Sequence, residues 1–221
     1  MIYENKNCKV YCGDARDFID EISADCFVSD PPYGINGGSG TISKQRAKGN
    51  YDADFPDTPE YIKTVCAPII ERCLERFGRG ALTPGGKCAF SYPQPLSLGG
   101  YVQNASSGLC HWGACTLQPI LFYGRDPMIG KTITPITYQL NEAPEKNGHP
   151  CPKPLKAWTW LVMKVSAEGE TVFDPFTGSG TTAIACLRSG RKFIGVELEK
   201  KYFDLTCKRI DDFYRQVDLF R

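Results

Sequence analysis

The sequence predicts an α/β domain built on a largely parallel sheet. After residue 153, strand-like and helix-like stretches alternate in strict order, the pattern of βαβ units. A glycine-rich turn joins one of those strands to the next helix, at residues 174–181. With 221 residues, of which 42% are hydrophobic and 23% charged, the chain has the length and composition of one globular domain spanning residues 1–221.

The elements come in this order. Lys9–Cys12 reads as a short strand ending at Gly13-Asp14, and Ala15–Ile22 has apolar residues at helical spacing with Asp14 as N-cap. Asp25–Ser29 is a buried strand broken by Pro31-Pro32. Residues 35–58 carry many glycines and no apolar period, and are expected to form a mobile lid or binding loop. A helix is predicted from Pro59 to Phe77 with a kink at Pro68, and Gly85-Gly86 leads into a strand at Lys87–Ser91. Residues 93–148 give one helix-like piece, a strand at Ile120–Tyr123 and mixed polar segments. Pro154–Val165 is helical, Thr171–Asp174 a strand, Thr181–Ser189 a helix, Phe193–Glu197 a strand, and Lys201–Phe213 or beyond a last helix.

Bulk properties exclude several classes. No stretch approaches the 18 apolar residues of a membrane span, and MIYENKNCKV has no signal-peptide core, so no membrane partner and a cytoplasmic setting are expected. The eleven cysteines are odd in number, contain no C-x-x-C pair and fit buried thiols in a reducing compartment. Cys110-His111 with Cys115 is the one compact metal-like group, and no second ligand pair has zinc spacing, so no metal is expected. The net charge of +1 leaves nucleic-acid binding open.

The stretch FDPFTGSGTT at 173–182 lies between a strand and a helix. Gly178 and Gly180 permit a tight turn and close backbone approach to a ligand. Glu197 ends the next strand, 23 residues after Asp174, about the offset at which nucleotide-binding units set an acid against ribose hydroxyls. Gly180 is followed by Thr181 and not by lysine, which argues against a phosphate-hydrolysing P-loop. An adenosine-type ligand, a looser dinucleotide fingerprint and a plain strand–helix turn all remain compatible with this loop alone.

Together, DPPYG at 30–34, HPCPKP at 149–154 and FDPFTGSGTT at 173–182 resemble the amino-DNA methyltransferases, which use S-adenosylmethionine. The order, with D-P-P-Y first and the cofactor loop last, is similar to the circularly permuted β-class arrangement. The resemblance implies a Rossmann-like methyltransferase fold with a seven-stranded, mostly parallel sheet and one reversed strand. It implies cofactor contacts at Phe173, Asp174, Pro175, Phe176, Gly178, Ser179, Gly180 and Thr181, with Glu197 on the ribose and Asp14 on the adenine. His149 and Lys153 fall in the segment beside the methionine end, where Lys153 could neutralise its carboxylate. Asp30 is shared between the catalytic and cofactor groups.

Those residue types suit amino-group chemistry. The lone pair of an exocyclic amino group is delocalised into its ring, so the site must align the N–H bonds with acceptors and hold the reactants in line. Asp30 offers a carboxylate, Pro31 a carbonyl that Pro32 helps to fix, and Tyr33 a face on which a flipped base can stack. Ring-carbon methylation would need a thiolate, but Cys151 sits in the segment assigned to the cofactor and reads as structural. The resemblance implies double-stranded DNA as the substrate partner, with a homodimer and a cognate restriction endonuclease as further partners. Within the family it resembles, the D-P-P-Y form implies adenine N6 over cytosine N4; RNA or protein methylation and an inactive DNA-binding subunit are the remaining alternatives. The resemblance implies a short target-recognition region within residues 93–148, and Lys44, Arg46 and Lys48 in the preceding loop are expected on DNA phosphates.

Overall fold

A computed structural model describes residues 1–35, 57–103, 109–110, 112–129, 134–141 and 153–218. The chain opens with a hairpin, β1 (Ile2–Asn5) and β2 (Cys8–Cys12), of which only the second strand was expected. Asp14 caps the next segment, accepting a bond from the Arg16 N–H, but that segment closes as a single 3₁₀ turn, Ala15–Asp17, and not as a helix reaching Ile22. Strand β3 (Cys26–Ser29) has both faces buried, which explains its unbroken apolar run: Cys26 and Val28 join one core cluster and Phe27 the other.

The predicted helix from Pro59 is continuous in path but mixed in winding. Thr58 caps α1 (Pro59–Tyr61), a π turn spans Ile62–Cys66, and α2 (Ala67–Phe77) ends at Gly78 in the left-handed region. The π turn sends the Ala67 N–H to the Ile62 carbonyl, just before Pro68, which has no N–H to give. A wider turn thus absorbs the proline where a kink was expected. The next strand is β4 (Gly80–Leu82), seven residues before the one predicted, while 87–91 coils into α3 (Gly85–Cys88) and a 3₁₀ turn, Ala89–Ser91. Once β4 pairs with β3, Lys87–Ser91 has no ladder to join.

In the interval 93–148 the described residues give strands and no helix: β5 (Ser97–Gln103), the small hairpin β6 (Leu109–Cys110) and β7 (Gly113–Ala114), β8 (Leu117–Tyr123) and β9 (Thr137–Leu140). The C-terminal part alternates as expected: α4 (Leu155–Val165), β10 (Thr171–Asp174), α5 (Thr181–Arg188), β11 (Lys192–Glu197) and α6 (Lys200–Asp218).

Among the described residues the main sheet has nine strands, in the order β1-β2-β11-β10-β3-β4-β8-β5-β9. From β2 to β5, its seven inner strands run parallel except for β8, antiparallel to both neighbours, which is the expected arrangement. An antiparallel β1 and a parallel β9 extend it at the edges. One face packs on α4, α5 and α6 through Trp158, Leu161, Ile184 and Ile210; the other packs on the 59–77 helix through Phe27, Ile62, Ile70 and Phe173. The parallel strands therefore deliver Asp14, Asp30, Thr83, Asp174 and Glu197 to one sheet edge, their carboxyl ends, where open α/β sheets bind ligands. Among the described residues no helix is long and apolar enough to cross a membrane.

Candidate active site

Parallel register sets the first link between the two principal motifs. Val172 and Phe173 of β10 pair with Cys26 and Phe27 of β3, so the strands emerge together. Ser29, the residue before Asp30, donates its hydroxyl to Asp174 Oδ1 at 2.6 Å, and Thr182 donates to Oδ2 at 2.6 Å. The Phe176 N–H also bonds to Oδ1, at 3.0 Å. Burial raises the Asp174 carboxyl to about 6 despite these three donors, which pull it down, and the nearby Asp30 charge adds to the rise. Asp174 is therefore a buried brace tying the two loops to α5, and the Thr182 oxygen in turn accepts from Trp158 Nε1 at 3.1 Å.

The turn after β3 holds the reactive-looking group. Asp30 Oδ1 accepts from the Tyr33 hydroxyl at 2.7 Å and from Thr83 Oγ1 at 2.5 Å, and Oδ2 is paired with the Lys153 ammonium. Lys153 Nζ also lies 4.9 Å from the centroid of the Tyr33 ring, a cation–π distance. Burial, followed by the Asp30 charge, pushes the Tyr33 phenol upwards, so it stays a donor. Gly34 turns the chain away, its N–H bonded to Asp57 Oδ1 at 2.6 Å and its carbonyl to Lys87 Nζ at 3.3 Å.

At the other end of the cleft, Glu197 accepts from the Gly178 N–H at 2.7 Å and the Glu199 N–H at 2.9 Å. It is 7% exposed, and burial raises its carboxyl to about 7. Asp14 stands on the adjoining loop, where the Arg16 side chain holds its carboxyl below the usual range. Asp14, Asp30, Pro31, Pro32, Tyr33, Lys153, Pro175, Phe176, Gly178 and Glu197 all line one cleft of about 1050 Å³, open mouth included. Its wall also includes a stripe from the 59–77 helix, Tyr61, Val65 and Ile69, together with Leu198 and Tyr202 after β11. That helical spacing was visible in the sequence, but nothing marked the stripe as facing a ligand.

Other predicted contacts lie off the cleft. Phe173 is fully buried, edge-on to Phe77, and Asp174 is enclosed as described. The Ser179 carbonyl turns towards α6, accepting from Arg209 at 2.5 Å, and Ser179 and Thr181 are buried. Gly180 packs its bare Cα against Thr206. These residues shape the loop, while Phe176 and Gly178 present it. Lys153 is found on Asp30, the position expected to accept the target amino group. His111, His149, Cys151, Lys44, Arg46 and Lys48 lie outside the described residues, as does Cys110 in its side chain. Among the described residues no group of three or more metal-ligating side chains converges.

An apolar wall, a buried carboxylate at Glu197 and a second carboxylate beside the Tyr33 face suit a ligand with an apolar body and hydrogen-bond donors. Residues 112–208 match a family model described as DNA methylase. Over 63 residues the chain is 40% identical to the type II methyltransferase M2.DpnII of Streptococcus pneumoniae, covering 28% of this chain and 24% of that protein. Over 67 residues it is 39% identical to the DNA adenine methyltransferase YhdJ of Escherichia coli (strain K12), covering 30% of this chain and 23% of that one. The matched segment thus spans about a quarter of these relatives. Among solved structures, the M1.HpyAVI–SAM complex superimposes with a TM-score of 0.63 at 19% identity, over 92% of this chain and 98% of that one. The cytosine-N4-specific PvuII DNA methyltransferase gives 0.63 at 15% identity, over 97% and 94%. At such identities these two establish the likeness of fold.

Proposed function

Starting from the amino-DNA methyltransferase family that the matched segment and its relatives support, we propose that this chain methylates an exocyclic amino group in double-stranded DNA, with adenine N6 as the target and S-adenosylmethionine as donor. One observation carries the reading: the amino-group acceptor Asp30, the stacking face of Tyr33 and the ribose-type acid Glu197 open onto the same cleft. When bound, S-adenosylmethionine supplies an electrophilic methyl group. Glu197, held by two backbone N–H groups, would accept from its ribose hydroxyls; the Tyr61–Ile69 stripe and Phe176 would cover its apolar faces.

Asp30 carries out the polar part of the chemistry. Its Oδ2 accepts an N–H bond from the target amino group once Lys153 has yielded that oxygen, drawing the nitrogen towards a pyramidal, more nucleophilic geometry. Tyr33 stacks under the base and offsets part of the few kcal/mol needed to flip it. The Lys153 ammonium, over the Tyr33 face and on Oδ2, occupies the place a target nitrogen would take as positive charge develops on it. Phe90 and Trp112, 97% and 98% exposed, offer aromatic surface to a duplex.

The test is transfer of labelled methyl from S-adenosylmethionine to mixed-sequence duplex DNA, then digestion to nucleosides. Label is expected in N6-methyladenine; label in N4-methylcytosine would reassign the base, and unlabelled DNA would refute the reading. Asp30→Ala is expected to lower turnover at least a hundredfold, an order of magnitude typical of a lost polar transition-state contact, with cofactor affinity preserved.

A further inference from the structure

Asp30 is anchored at Oδ1 by two hydroxyls and paired with Lys153 at Oδ2, and one of the two anchors, Thr83, does not line the cleft. Thr83 follows β4 as Asp30 follows β3; Leu82 pairs with Ser29, and the Thr83 N–H continues the ladder to the Ser29 carbonyl at 3.1 Å. The Thr83 side chain is thereby set beside Asp30, and the residue is 1% exposed. Its hydroxyl lies 2.5 Å from Asp30 Oδ1 and 3.4 Å from the Ser29 carbonyl. A hydroxyl has one proton to donate, and the shorter, charge-assisted contact takes it.

The Tyr33 hydroxyl donates to the same Oδ1, so two donors from separate segments saturate one side of the carboxylate. Rotation of an aspartate carboxylate about its last torsion is otherwise broad. Pinning Oδ1 from two directions fixes that rotation and leaves Oδ2 aimed at the position Lys153 holds. The same short turn also supports the stacking face. Pro84 restricts Thr83 to extended backbone, and Gly85, at φ +65°, leaves room for Tyr33: a Cβ there would lie 2.7 Å from the ring's Cγ.

We infer that Thr83 is a positioning residue for amino-group methylation, holding Asp30 so that Oδ2 alone meets the target nitrogen. This rests on the function proposed above. Thr83 touches neither reactant; it acts through the direction of the Asp30 carboxylate.

The experiment compares wild type, Thr83→Val and Thr83→Ser in steady-state methyl transfer, with cofactor affinity by calorimetry and melting temperatures for all three. Valine keeps the shape and removes the donor; serine keeps the donor. Thr83→Val is expected to lower kcat roughly ten- to a hundredfold, the range for a lost hydrogen bond to a charged group. The KM for DNA and the cofactor Kd should stay within about twofold of wild type, since catalytic aim is what changes. Thr83→Ser should recover most of kcat even where its melting temperature falls, a rescue that a purely structural role would not give. Wild-type kcat in Thr83→Val overturns the inference, as does equal impairment in both variants or a loss carried wholly by cofactor affinity. A wild type that transfers no methyl to DNA overturns the function proposed above and this inference with it; an active wild type with any of those three results overturns this inference alone.

Discussion

On the function proposed above, acidifying the medium from pH 8 to pH 6 should weaken binding of S-adenosylmethionine about tenfold through one side chain, Glu197. Burial raises its carboxyl to about 7, the Glu199 and Asp174 charges add to the rise, and the Glu199 and Gly178 N–H groups offset only part of it. A ribose diol donates its hydroxyl protons, so it binds the ionised form. The affinity penalty for starting from a partly protonated site is 1 + 10^(pKa − pH), which is about 11 at pH 6, about 2 at pH 7 and about 1.1 at pH 8. Binding should accordingly release about 0.9 proton at pH 6 and about 0.5 at pH 7. Titration calorimetry at the three pH values, each in two buffers of different ionisation heat, reads both quantities. The α-amino group of the cofactor titrates near 8 by itself, and a Glu197→Gln variant removes that ambiguity because only the carboxylate differs. The expected result is a slope in the wild type that exceeds that of the variant. Equal slopes would refute the reasoning. The same shift has an opposite consequence for the empty protein. A carboxyl raised from 4.5 to about 7 takes up a proton on folding across that window. Stability is therefore fully retained below pH 4.5 and falls, by roughly 3 kcal/mol from this group, as pH rises through 7.

Gly180→Ala should destabilise the protein by about 1–3 kcal/mol, because its φ is +77° and a Cβ would lie 2.8 Å from both Cγ2 and Oγ1 of Thr206. Thr206 is fully buried and bonded to the Gly178 carbonyl, so it has little room to yield; an unchanged denaturant midpoint would contradict this. Trp112 is 98% exposed whereas Trp158 is buried and Trp160 half-buried. Iodide should therefore quench mainly Trp112, and duplex DNA should protect it. Quenching that is the same with and without DNA, under conditions where binding is seen, would place Trp112 outside the interface.

The sequence carried the parts of the fold that repeat a local rule. The helices at 155–165, 181–188 and 200–218 and the strands ending at Ser29, Asp174 and Glu197 each have enough apolar positions to declare a period or a buried run. Failures came where short segments had to compete for a partner. Gly80-Ala81-Leu82 is too short to show alternation, yet it takes the place beside β3 that a longer and more strand-like Lys87–Ser91 then cannot have. The Ala15–Ile22 stretch has helical spacing and a capped start, but after one round of 3₁₀ Ile19 reaches the core from a turn and Ile22 from the irregular segment that follows it.

The site divides along the same line. A motif marks a loop, but it does not say which of its side chains face inward. In FDPFTGSGTT, Phe173 and Asp174 belong to the strand end and point into packing and bracing, and Ser179, Gly180 and Thr181 meet α6 or the core; only Pro175, Phe176 and Gly178 line the cleft. Residues that shape the loop and residues that line the cleft alternate within a few positions, so a one-dimensional pattern merges them. Thr83 is the converse case: it stands outside every motif, 53 positions from the carboxylate it anchors. What makes it legible is the pairing of β3 with β4, which turns two unrelated strand ends into neighbours and sets an ordinary hydroxyl against a charged acceptor. If the kcat of Thr83→Val falls while that of Thr83→Ser does not, the catalytic unit of this fold is the pair of adjacent strand ends, and the D-P-P-Y turn is only the half that a sequence can show.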